Sequence, residues 1–229
     1  MIKIIRNDER YNFQGDWLNT FWHFSFDHYF DPENVSFGYL RVFNDDVVNA
    51  KSGFPYHDHA NMEIVTYVLE GQLSHKDSLG NLGTINAGEV QRMSAGKGIM
   101  HSEFNDSKEK VHLLQIWLQP NQFDLQPSWE QKQFTKQQRT NNLLQIVSPK
   151  KENNALFINQ NAQFFVSFLE KGKSLSQKAK DSDYLFVISG EIELNGNALV
   201  SGDQARMENE KQINISALKD SELILIQME

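Results

Sequence analysis

The chain contains no cysteine. Disulfides, thiolate metal sites and a cysteine nucleophile are therefore excluded, and any metal must be held by histidine and carboxylate. No stretch approaches the ~20 apolar residues of a membrane-spanning helix. The N-terminal MIKIIRNDERYNFQG lacks the apolar core of a signal peptide, so the expectation is a cytoplasmic protein. There is no basic block, and the net charge is -8, which argues against direct nucleic-acid binding. Histidine runs out early: all seven precede Leu113.

What is present is an ordinary globular balance, 39% hydrophobic and 23% charged over 229 residues. That length allows one large domain or two small ones. Short strand-like runs dominate, at about Tyr56–Leu69, Gln72–Lys76, Gly83–Asn86, Val90–Ser94, Ile99–Phe104 and Val111–Leu118. The pieces between them (EG, DSLGN, NAGE, SAGKG, NDSKEK) are rich in turn formers. Such spacing predicts an all-β sandwich or barrel. The Gln-, Asn- and Pro-rich QPNQFDLQPSWEQKQFTKQQRTNN reads as a surface connection, with room for a strand or a helical turn. A second strand-rich block comes after it. Its VISGEIELNGNALVSGD repeats the pattern of VLEGQLSHKDSLGNLGTINAGE: apolar strand, glycine, hairpin, then a GD or GE turn. The expectation is two barrels of similar build, residues 1–135 and 136–229, the second without metal and serving as scaffold.

Residues of one parity share a face of a strand. Read as one continuous strand, FPYHDHANMEIVTYVLEG puts His57, His59, Asn61, Glu63, Val65 and Tyr67 on one face. Asp58, Ala60, Met62, Ile64, Thr66 and Val68 then take the other. A bare H-x-H is more often a polar rim than a site. Here it has a counterpart in SAGKGIMHSEF, where His101 and Glu103 also stand two apart. Two such strands can converge three neutral imidazoles and a carboxylate on one divalent ion. Glu63 and Glu103 both have suitable parity. Glu63 lies roughly 13 Å along the strand from His59, so geometry prefers Glu103 and leaves Glu63 to the interior or a supporting role. Gly96 and Gly98 keep the backbone slim near His101, or simply shape a turn. His75 reads as a hairpin residue, with a supporting role at the metal also open. His112 reads as a core or interface residue, and His23 and His28 as parts of an aromatic packing segment that could also roof a pocket.

The stretch from Phe54 to Glu103, with SFDHYFDP upstream and LLQIWLQP downstream, resembles the signature region of the pirin family within the cupin superfamily. In the second half, VISGEIELNG is similar to the degenerate second barrel of bacterial pirin-like proteins. The resemblance implies a bicupin, two β-barrels of jelly-roll type face to face in one chain. It implies one metal in the N-terminal barrel on His57, His59, His101 and Glu103, whereas cupins at large use the glutamate that falls at Glu63. It implies quercetin 2,3-dioxygenase chemistry, with a flavonol and O2 as substrates and Glu103, or alternatively Glu63, as general base. Phe54, Tyr56 and Met100 are candidates to seat a flat substrate. The ligand set suits Fe(II), the favoured native ion, and also Ni, Zn, Mn, Co or Cu. Two other readings stand beside this one: a redox-sensing regulatory module, and a cupin oxygenase with a non-flavonoid substrate. Two barrels in one chain suggest a monomer.

Overall fold

A computed structural model describes residues 1–152 and 154–229. The chain divides into two compact units. One comprises Tyr11–Gln133 with Ile158–Gln160; the other comprises Met1–Arg10, Phe134–Phe157 and Asn161–Glu229.

In the first unit, a seven-stranded sheet runs in the order Ser128–Gln133, Glu89–Ser94, Glu63–Glu70, Val111–Leu118, Leu40–Val48, Leu18–Trp22, Tyr11–Gln14. A four-stranded sheet runs Ser52–His59, Ile99–Asn105, Gln72–Asp77, Leu82–Asn86. The central strand Val111–Leu118 is apolar and almost wholly buried. Ile99–Asn105 instead alternates: Ile99, His101, Glu103 and Asn105 are buried, while Met100 and Phe104 face outward. That alternation carries polar side chains into the barrel.

The second unit repeats this arrangement, with a seven-stranded sheet centred on Ser182–Ser189 and Ser221–Met228 and a four-stranded sheet of Ser174–Lys178, Gln212–Ala217, Glu191–Leu194 and Asn197–Val200. The hairpin glycines Gly71 and Gly190 align the two. His75 and Leu194 then stand equally far past their glycines, opposite Glu103 and Ile215 respectively. Leu194, Ile213 and Ile215 pack into an apolar cluster with Leu185 and Leu225. Where the first barrel carries imidazole and carboxylate, the second carries Leu and Ile.

Residues 1–10, expected in the first domain, instead belong to the second unit. Ile2–Ile5 pairs antiparallel with Gln204–Glu208. Buried Asp203 fastens the next two residues, accepting from Arg6 Nη1 at 2.7 Å and from the Asn7 amide at 2.8 Å. The connection after residue 119 contains both elements allowed for it. Ser128–Gln133 is a strand, and Lys136–Arg139 is a one-turn helix capped by Thr135.

Candidate metal centre

Ser52–His59 and Ile99–Asn105 pair antiparallel, with His57 opposite His101 and His59 opposite Ile99. Neighbouring strands and two-residue alternation bring three inward-facing imidazoles together. Ring centres are 4.5 Å apart for His57 and His101, 4.8 Å for His57 and His59, and 4.9 Å for His59 and His101. Their ligand atoms all lie within 4.8 Å of one another. Register with Ser52–His59 shifts between His101 and Glu103, which brings Glu103 opposite Phe54; on its other side Glu103 stands in regular register opposite His75. Glu103 thus enters a second group with His101 and His75, again within 4.8 Å. The two groups share His101.

Burial sets the charge state of these rings. It pushes the His59 imidazole down to about 4 and that of His101 down to about 3, with neighbouring histidines adding to the effect. Both are neutral near pH 7, the form that ligates a metal. His57 Nδ1 sits 2.7 Å from the Pro55 carbonyl oxygen. A carbonyl only accepts, so Nδ1 carries the proton and, in the neutral ring, Nε2 keeps its lone pair. Both ring nitrogens of buried His101 lack a hydrogen-bond partner. An imidazole so placed costs about 1–3 kcal/mol for each unmet polar atom, unless a metal uses it. Glu103 is held as an acceptor: Gln115 Nε2 donates to Oε2 at 2.7 Å, and the Thr66 hydroxyl lies 3.2 Å from Oε1. Three imidazoles and a braced carboxylate fit a divalent first-row metal.

The single strand expected from Tyr56 to Leu69 is two strands in two sheets. Asn61 adopts φ 51° and breaks it between His59 and Glu63. Beyond the break the expected faces do not hold. Thr66 and Ile64, placed on the opposite face from the histidines, turn toward Glu103 and the cavity. Glu63 points elsewhere. Ser94 Oγ donates to it at 2.8 Å, and the Asn159 amide and side chain donate at 3.3 and 3.2 Å. It binds the Ile158–Gln160 segment onto this barrel and belongs to neither ligand group. Gly96 is explained by a close approach rather than by the site: a Cβ there would sit 2.0 Å from the Leu125 carbonyl oxygen.

A cavity of about 670 Å3 opens onto His57, His59, His101 and Glu103. Phe13, Trp17, Phe26, Phe54 and Trp117 give it flat apolar walls, and Trp117 meets the His59 ring edge-on at 4.8 Å. Of the three residues expected to seat a substrate, Phe54 lines the cavity, while Tyr56 and Met100 face outward. Phe26 from the aromatic segment does roof it. Asp46 also lines it, with an unpartnered buried Oδ1. Burial pushes its carboxyl up to about 7, and the nearby carboxylates Asp45 and Glu103 add to this.

The family profile described as Pirin matches residues 5–118, and that described as Quercetinase C-terminal cupin domain matches residues 145–228. A pirin-like protein of Caulobacter vibrioides is 42% identical over 92% of both chains. The chain belongs to the pirin family. Among other pirin relatives, a quercetin 2,3-dioxygenase of Escherichia coli K12 is 38% identical over 100% of this chain and 99% of its own. The crystal structure of the bacterial pirin YhhW from E. coli in complex with nickel(II) superposes with a TM-score of 0.95 at 36% identity, covering 100% of this chain and 99% of that one. The two cupin units expected of a pirin are therefore the fold of this chain, and a His/Glu group able to hold a metal lies in the first.

Several residues of this pirin site are not visible in the sequence. No motif singles out Thr66, Gln115, Asp46 or the wall residues Phe13, Trp17 and Trp117. His75 reads as a hairpin residue yet is buried beside His101, with ring centres 5.3 Å apart. Its one signal in the sequence is its place on a hairpin strand of the metal-bearing barrel, which leaves a supporting role open. His112 is a packing residue, its Nε2 2.6 Å from Asp45 Oδ1.

Proposed function

We propose that this pirin is a metal-dependent dioxygenase of quercetin 2,3-dioxygenase type, with a mononuclear site on His57, His59, His101 and Glu103. The observation that carries the proposal is the convergence of three imidazoles on the floor of an aromatic-walled cavity. Its volume suits a drug-sized ligand. The relative named quercetin 2,3-dioxygenase, aligned over essentially the whole chain, supplies the substrate class. Fe(II) is the proposed native ion, and nickel(II), present in the YhhW complex, is a competent alternative.

A bound divalent ion would act as a Lewis acid on the flavonol oxygens. The chain's own residues do the rest. Trp17, Phe54 and Trp117 sandwich the flat rings and exclude water. Glu103 accepts the proton of the 3-hydroxyl, held in place by Gln115 and Thr66. Asp46, its carboxyl raised by burial to about 7 in the metal-free chain, lines the same cavity as a further carboxyl. His57 and His59 are only half-buried, so the site is reachable from solvent. A cavity leading to the ligands favours an enzyme over a regulator whose site could be shut.

The test is anaerobic reconstitution with each divalent metal, followed by quercetin, O2 and an assay for carbon monoxide. Metal-dependent loss of the flavonol absorbance with CO release supports the proposal. Full metal occupancy with no turnover under any metal overturns the flavonol reading and leaves a different substrate or a sensing role.

A further inference from the structure

Next to the three-histidine group lies a buried pair that takes no part in binding the flavonol or moving its proton. His75 and Asp77 sit on the Gln72–Asp77 strand, both side chains fully shielded from solvent, with His75 Nε2 3.3 Å from Asp77 Oδ2. Asp77 is bound to remain an acceptor. Its carboxylate takes hydrogen bonds from the Leu79 and Asn81 amides at 2.9 and 3.0 Å and from Asn81 Nδ2 at 2.8 Å. The proton between the pair therefore belongs to His75 Nε2, and in the neutral ring His75 Nδ1 carries a lone pair. That Nδ1 is buried and has no partner, and neither nitrogen of His101 has one. The two rings are inclined at 50°, and their ligand atoms lie within 4.8 Å. Trp129 stacks on His75, 5.9 Å away and 24° from parallel.

An acceptor with no donor thus lies beside an imidazole that must keep one N–H when its other nitrogen binds a metal. We propose that His75 is a positioning residue for His101. The chain Asp77–His75–His101 accepts the His101 N–H at His75 Nδ1, fixes the tautomer and ring angle of His101, and makes it a stronger ligand. This rests on the reading of His101 as a ligand. It also gives a reason for burying a histidine at a position where the second barrel carries Leu194.

The experiment uses the full chain loaded with Co(II), reading the rate of metal release to a chelator and the visible ligand-field spectrum, with circular dichroism as a folding control. His75→Leu removes the acceptor and keeps the bulk; His75→Asn keeps an acceptor near the Nδ1 position. We expect His75→Leu to hold Co(II) about 10- to 100-fold less tightly, with a shifted spectrum and an unchanged number of ligands. His75→Asn should recover most of that loss. Release and spectrum in His75→Leu equal to wild type would overturn the proposal. So would loss of one ligand from the spectrum, since His75 would then be a ligand itself. If His75→Leu does not fold, His75→Asn decides alone: near wild-type retention supports the role, and loss as large as in His101→Ala overturns it. His101→Ala in parallel separates the two claims, because Co(II) bound as tightly there as in wild type refutes the ligand assignment itself.

Discussion

At the scale of single residues, the site is a set of groups that burial has moved off their ordinary protonation. Unfolded histidine titrates near 6.5, and His59 and His101 titrate near 4 and 3 in the fold. Below 6.5 the unfolded chain binds protons that the native rings refuse, so stability is present above 6.5 and lost as pH falls toward 4. Metal-free protein should show this as a falling Tm over that window, and His101→Ala should flatten it. Asp46 has the opposite sign. Its carboxyl is raised from 3.8 to about 7, so ionising it destabilises the native state as pH rises between those values. Asp46→Asn should raise the Tm of metal-free protein at pH 8, by on the order of 1–4 kcal/mol in stability, with the gain vanishing near pH 4. An equal Tm at pH 8 would contradict the burial of that charge. The two pairs of ligand-type residues, His57 with His59 and His101 with Glu103, are legible because alternation in a strand is a local rule. Asp46, Thr66 and Gln115 are not, because they reach the site through the packing of one sheet on another, which no local pattern encodes.

At the scale of elements, one turn and one alternating strand decide which glutamate faces the histidines. Asn61 holds φ 51° and accepts a hydrogen bond from the Asp124 amide at 2.8 Å on its side chain. A β-branched residue does not tolerate that conformation. Asn61→Val should cost about 1–3 kcal/mol and lower metal occupancy, whereas Asn61→Gly should cost less. Thermal melts and metal analysis of the two variants check this. The break removes Glu63 from the histidine face, while the regular alternation of Ile99–Asn105 keeps Glu103 on the face of His101. Glu63→Gln should therefore keep full metal occupancy and loosen only the Ile158–Gln160 segment. Glu103→Gln should lose metal or turnover. Metal loss in Glu63→Gln, with Glu103→Gln unaffected, would reverse the assignment. Strand positions and turns are close to legible from composition. The break at Asn61 is not, since Asn inside an apolar run does not by itself announce a left-handed residue.

For the molecule as a whole, the repeated glycine–hairpin–GD/GE pattern corresponds to a real repetition of strand order in two barrels. What differs is the filling. One barrel holds His57, His59, His101 and Glu103 under an aromatic cavity; the other carries Leu194, Ile213 and Ile215 where the first has His75, His101 and Glu103. The membership of the first ten residues in the second unit is invisible in the sequence, because IKII reads as a strand without saying which sheet it joins. Everything proposed for this pirin depends on a single ion held by one ligand set in the first barrel. The most direct measurement is anomalous X-ray diffraction at the absorption edge of the reconstituted metal. It should give one peak per chain, bonded by His57, His59, His101 and Glu103. A peak among residues 161–229, or one bonded by Glu63 or by His75 in place of Glu103, would contradict it.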